Sequence, residues 1–208
     1  MNDPRLERFC DLLTDAPVRL TAVPREAAYE RHVADALAGL HLVDATAGDI
    51  VDVGSGTGVP GLVLALVRPE RAIHLVESVQ KKAAALAAIA AELEAGNVDV
   101  RAERAEDLGR GDDRDRFGLA VCRALAPPPV AVELCLPLVR PGGRLVIWAG
   151  EIDAGAVERA ALEVGGVLEA IEPAPGDRRS FVVVAKTTAT PERFPRRPGM
   201  AAKRPLAG

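Results

Sequence analysis

The sequence predicts an α/β fold: a mostly parallel, seven-stranded sheet with an antiparallel edge, preceded by a short helical cap. Three observations carry that expectation. Ile50, Val51 and Val53 run into glycines at alternate positions, Gly54, Gly56 and Gly58. Pro60 follows where a first helical turn tolerates it, so a buried strand turns directly into a helix. Apolar, β-branched runs then alternate with helix-period segments, the rhythm of strand–helix–strand units. Two late runs, 167–171 and 180–185, are separated by Pro- and Gly-containing turn residues and fit an antiparallel hairpin.

Each element follows from local chemistry. Residues 4–13 place Leu6, Phe9, Leu12 and Leu13 at helical spacing, and a second helical pattern opens at Pro24 and runs to about Leu40. After the first strand and its glycine turn, a helix over 60–67 is closed by Pro69, and residues 72–76 form strand two. Ser78 is the expected N-cap of the next helix, in which Leu86, Ile89, Ala90 and Leu93 recur at helical spacing before Gly96. Strands three and four fall at 98–100 and 119–122; the mixed-charge run 110–116 between them reads as an exposed loop. Pro127, Pro128 and Pro129 force a turn before a helix over 130–136. Pro141-Gly142-Gly143 then turns the chain into strand five, 144–148, and a helix over 157–164 precedes the hairpin.

With 208 residues the chain has room for one well-buried domain and a small appendage. We expect a single domain over 1–186, with a helical cap at 1–45 and a core at 46–186, and a basic C-terminal tail at 187–208. The longest apolar run, 83–91, is far short of the ~20 residues a bilayer requires, and the first residues are charged rather than signal-like, so a cytoplasmic, membrane-free, monomeric protein is expected. Cys10, Cys122 and Cys135 have no metal spacing and read as reduced and buried; His32, His41 and His74 are scattered, so no metal site is expected. A formal net charge of -4 argues against indiscriminate nucleic-acid binding but leaves room for a local basic patch.

The glycine turn can be typed by its spacing. A dinucleotide fingerprint starting at Gly54 needs glycine at position 59, and Val59 is there instead. What stands is D-V-G-S-G-T-G, which resembles the first motif of S-adenosylmethionine-dependent methyltransferases. Glu77 ends the second strand at about the interval where an acidic side chain meets ribose hydroxyls. Lys81 and Lys82 lie in the first turn of the following helix, where cations oppose the helix dipole; a phosphate partner would offset that, and a solvated face is the alternative. Arg123 closes strand four, as an active-site group or as half of a salt bridge.

Taken together, RLTAV at 19–23, RHVADAL with His32 and Asp35, DVGSGTGVPGL at 52–62, VESVQKK at 76–82, RAEDL at 104–108, CRALAP at 122–127, LPLVRPGGRL at 136–145 and the ending RFPRRPGMAAKRPL at 193–206 resemble the bacterial small-subunit ribosomal RNA guanine-N7 methyltransferases, the RsmG or glucose-inhibited division protein B family. The resemblance covers about 19–206 and implies a Rossmann-like class I methyltransferase fold. It implies S-adenosylmethionine as donor, held by Gly54, Gly56, Gly58, Val59, Glu77, Ala105, Glu106 and Arg123, with Glu77 assigned to the ribose from its place at a strand end. It implies 16S ribosomal RNA or the small subunit as partner, with Lys81, Lys82, Arg123, Arg196, Arg197, Lys203 and Arg204 as RNA contacts. Guanine N7 offers a lone pair and carries no proton, so transfer requires alignment more than a general base, and no catalytic residue is expected. The family's lysine after strand five is replaced here by Ala149, for which Arg144 is a candidate substitute. A related enzyme acting on a small molecule and a non-catalytic ribosome-binding factor remain the alternatives.

Overall fold

The computed structural model describes residues 3–176 and 179–206. Its sheet has strands β1 (Ile50–Val53), β2 (Ile73–Val76), β3 (Val98–Arg101), β4 (Phe117–Arg123), β5 (Val139–Ala149), β6 (Gly166–Pro173) and β7 (Ser180–Lys186) in the order β3-β2-β1-β4-β5-β7-β6. The first five pair in parallel, whereas β7 is antiparallel to both β5 and β6, as the hairpin chemistry requires. Helices α5 (Gly61–Val67), α6 (Gln80–Glu92), α7 (Ala105–Leu108), α8 (Pro128–Cys135) and α9 (Ala154–Val164) connect the strands.

Strand alternation divides the core in two. Ile50, Ile73, Leu75, Leu119, Val121, Val146, Trp148 and Phe181 join one apolar cluster, and their neighbours Val51, Val53, Val76, Ala120, Cys122, Leu145, Ile147 and Val182 join the other. Because successive crossovers leave β1 toward β2 on one side and β4 on the other, the chain ends of β1 and β4 flank the crevice where this topology reverses. That geometry brings the glycine turn beside Arg123.

The N-terminal cap consists of α1 (Pro4–Asp15), α2 (Arg25–Ala28), a run of wider π turns (Tyr29–Ala34), α3 (Asp35–Ala38) and α4 (Leu40–Asp44). The single helix expected from Pro24 is therefore widened in its middle, at His32, and Asp35 follows directly. The cap is seated on the sheet through Trp148, whose indole Nε1–H donates to the Asp35 carbonyl at 3.0 Å and whose ring stands edge-on to Phe181. A Cβ on Gly39 would lie 2.4 Å from that indole, so only glycine admits the approach.

Several expectations change in detail. Ser78 does not cap α6: the preceding Val79 is the cap residue, without a side-chain bond, and Glu77 accepts its N–H. Pro128 and Pro129 lie inside the first turn of α8 rather than before it. Pro141-Gly142-Gly143 falls within β5, where the pairing with β4 shifts register, rather than preceding the strand. The run at 110–116 is not a free loop: Asp113 is buried against Arg101 and Arg116, and Arg114 donates to the carbonyls of Thr190, Pro191 and Phe194. The C-terminal segment expected on the surface is thereby tied down, with Phe194 and Ala201 buried and a short helix α10 (Met200–Lys203) after Gly199. Among the described residues no helix is long and apolar enough to cross a membrane.

Candidate functional site

Asp52 is fully buried on β1, and its Oδ2 accepts the N–H of Gly61 at 2.9 Å where α5 begins. Its other oxygen has no partner, and burial pushes its pKa up to about 7. Gly54 and Ser55 both donate to the Val76 carbonyl, at 2.8 and 3.0 Å, which stitches the glycine turn to β2. Gly54 adopts φ +69, a conformation natural to glycine, and a Cβ there would lie 2.4 Å from Cδ1 of Leu125.

Glu77 stands beside this turn. Its Oε2 accepts the Gly56 N–H at 3.1 Å and its Oε1 accepts the Val79 N–H at 2.7 Å, so two backbone donors fix the carboxylate's orientation. Each oxygen still has lone-pair capacity, the arrangement a ribose diol would use. A small cavity of about 90 Å³ follows, walled by Gly54, Val76, Ala105, Glu106, Leu125 and Leu134 among others. Four of the residues expected at a donor site, Gly54, Glu77, Ala105 and Glu106, thus converge at the chain ends of β1, β2 and β3. The cavity is narrower than the roughly 300–1,000 Å³ usual for a small-molecule site, and Leu125, in van der Waals reach of the Gly54 backbone, narrows it. The groups suit a nucleoside donor: a fixed carboxylate, bare glycine backbone and apolar walls.

Gly58 and Val59 do not line this cavity. Val59 is buried in the cluster beneath α5, and a Cβ on Gly58 would meet Leu62 at 2.7 Å and Leu86 at 3.0 Å, so both residues pack closely against neighbouring helices. The spacing pattern alone could not separate a glycine that admits a ligand from one that admits a neighbouring leucine.

Arg123 lies on the other flank of the turn. It donates to the Arg31 carbonyl at 2.9 Å, to Asp35 Oδ2 at 2.7 Å and to Thr57 Oγ1 at 3.4 Å, with Nη2 also 3.0 Å from His32 Nδ1. A guanidinium only donates, so His32 accepts at Nδ1 and carries its proton on Nε2, which points at Thr21 Oγ1 2.9 Å away. Burial, reinforced by Arg123, pushes the imidazole down to about 4, keeping it neutral at pH 7. Asp35 pairs through its second oxygen with Arg179, a residue that sequence reading did not single out. Arg179 arrives there because Ser180, beside it, pairs with Ala149 across β7 and β5. Arg144, the expected substitute for a lysine at position 149, is instead held by Glu169 and the Ala45 carbonyl toward the far end of β5.

The basic candidates separate into two groups. Lys81, Arg197, Lys203 and Arg204 are exposed, and Lys82 is partly so. Arg196 is not available: its guanidinium pairs with Glu133, which is 1 % exposed, and also donates to the Arg204 carbonyl. Glu106 accepts the N–H of Gly199 at 3.0 Å and pairs with Arg104; these bonds hold it below the ordinary carboxylate range even though burial opposes ionisation. Burial raises the Cys10 thiol to about 11 and Cys135 well above its ordinary value, which leaves neither a ready nucleophile.

The family model described as rRNA small subunit methyltransferase G matches residues 4–164. The ribosomal RNA small subunit methyltransferase G of Syntrophomonas wolfei is 37% identical over 97% of this chain and 98% of its own length. That of Deinococcus deserti is 40% identical over 98% of this chain and 89% of its own. Among solved structures, a mutant of MtNAS in complex with S-adenosylmethionine has a TM-score of 0.61 at 15% identity, covering 89% of this chain and 73% of that one. At that level of identity the likeness is one of fold.

Proposed function

The chain belongs to the rRNA small subunit methyltransferase G family, and from that membership we infer that it transfers the methyl group of S-adenosylmethionine to N7 of a guanine in 16S ribosomal RNA. The observation that carries the reading is the match to curated relatives over almost the whole length of both chains. Neither a small-molecule acceptor nor a non-catalytic ribosome-binding role is favoured by any comparison.

S-adenosylmethionine, when bound, supplies an activated methyl group on its sulfonium. The chain's own residues then have limited tasks. Glu77, oriented by Gly56 and Val79, would take the ribose hydroxyls, and Ala105 and Glu106 would flank the adenine. Leu125 would have to turn aside for a donor to lie against the Gly54 backbone. Arg123, its plane fixed by neutral His32 and by Asp35, would align the acceptor beside the turn through its remaining Nε–H. No proton must leave N7, so the transfer calls for alignment rather than for a general base.

Lys81, Lys82, Arg197, Lys203 and Arg204 would contact the RNA backbone. The protein would act as a cytoplasmic monomer on the small subunit or its RNA; the few exposed large apolar residues, Val79, Leu162, Val167 and Ile171, support a free surface. The test is transfer of labelled methyl from S-adenosylmethionine to small subunits from a strain lacking the protein. Label recovered as N7-methylguanosine confirms the reading, and donor binding without label in RNA refutes it.

A further inference from the structure

A larger cavity, about 520 Å³, opens beside the π turns of the cap, lined by Glu30, Arg31, Ala34 and Asp35 on that side and by Pro175, Gly176 and Arg179 near the ends of β6 and β7. It shares a wall with the site already described. Asp35 lines the cavity and also binds Arg123, which reaches Thr57 in the glycine turn. A single guanidinium therefore separates the cavity from the donor's side of the molecule.

We infer that this cavity is the subsite for the acceptor guanine, with the Glu30 carboxylate reading its N1–H and N2–H₂ edge. The inference rests on the methyltransferase reading above and adds how the base is chosen. An enzyme that alters a base takes it out of the stack into a pocket, and this cavity is wide enough to admit a purine.

The orientation follows from the acceptor atom. N7 lies on the edge of guanine opposite the ring face that carries N1–H and the N2 amine. A base that offers N7 to the donor therefore directs its pairing edge away from the donor, toward the cap. Guanine presents two adjacent N–H donors on that edge, which one carboxylate can accept together; adenine has a bare ring nitrogen there. Asp35 is already committed to Arg123 and Arg179, whereas Glu30 is exposed at the cavity wall with no hydrogen bond or ion pair to another described residue. Arg31, equally uncommitted in its side chain, and Arg179 stand where they can neutralise the flanking phosphates, while Arg123, whose Nη groups are taken by the Arg31 carbonyl, Asp35, His32 and Thr57, fixes the Asp35 wall from the donor's side.

The experiment measures kinetics of the full chain on small subunits from a strain lacking the protein, with guanosine monophosphate and inosine monophosphate as competitors. Inosine lacks the N2 amine. In the unaltered protein guanosine monophosphate should inhibit more strongly than inosine monophosphate. Glu30→Gln should erase that difference and lower kcat/KM for the subunit by roughly tenfold or more, with donor affinity by calorimetry and thermal stability unchanged. Ala34→Phe, which fills the cavity without altering charge, should likewise lower kcat/KM while sparing donor affinity. Equal inhibition by the two nucleotides, inhibition by neither, or full activity in both variants would overturn the subsite while leaving the methyltransferase reading intact. Failure of the unaltered protein to bind donor or methylate RNA would remove both.

Discussion

Arg123 Nη2 lies 3.0 Å from Nδ1 of His32, a contact that exists only while the imidazole is neutral. Protonation would set two cations against each other in a buried setting. The folded pKa is about 4 against an ordinary 6.5, so the folded state binds this proton more weakly than the unfolded chain. The stabilisation is therefore complete above pH 6.5 and is lost as pH falls toward 4. Urea denaturation at pH 5 should show a loss of up to about 2 kcal/mol relative to pH 7.5, and His32→Gln should flatten that dependence.

Asp52 gives the opposite slope. Its folded pKa is raised from 3.8 to about 7, so its contribution is present below 3.8 and is lost as pH rises through 7. Asp52→Asn keeps an acceptor for the Gly61 N–H and removes the ionisation. The variant should be more stable than the parent at pH 8 by roughly 1–3 kcal/mol, and the advantage should vanish at pH 4, as read from denaturant midpoints at the two values.

Gly54→Val should abolish donor binding in calorimetry. The added side chain would occupy the bare backbone face beside Leu125, and its Cβ would carry the strain of φ +69, about 1–2 kcal/mol. Adding Leu125→Ala removes the collision but not the backbone strain. The double variant should therefore regain stability only in part and donor binding not at all.

The tail arginines should behave differently from one another. Arg196→Ala leaves the Glu133 carboxylate buried without its partner and should cost about 3–5 kcal/mol in urea denaturation. Arg197→Ala and Arg204→Ala remove exposed charges; stability should be almost unchanged, while binding to small-subunit RNA weakens and its salt slope falls by about 1 for each.

The succession of strands and helices, the hairpin edge and the nearness of Glu77 to the glycine turn were legible because they depend on residues close together in the chain. A strand, a glycine turn and an acidic strand end occupy 28 positions, 50–77. The Arg179–Asp35 contact was not, because it depends on the pairing of Ser180 with Ala149 and on a cap that folds back over that edge. The run 110–116 misled for a related reason: charges of both signs look alike whether they face solvent or the carbonyls of a distant segment. His32 and Asp35 were recognisable as a pair, but not the π turns that carry them or the arginine they hold.

The bond from the Gly199 N–H to Glu106 also imposes an order on biosynthesis. All seven strands precede residue 187 in the chain, so a nascent polypeptide can form the whole sheet before the segment that steadies Glu106 in this cavity wall has been translated. A message cut short in that last stretch would yield a product that carries every strand yet lacks Phe194 in the core and leaves Glu133 unpaired. Such a product would keep its sheet but expose the apolar surface that Phe194 covers, and is expected to be less stable than the full chain.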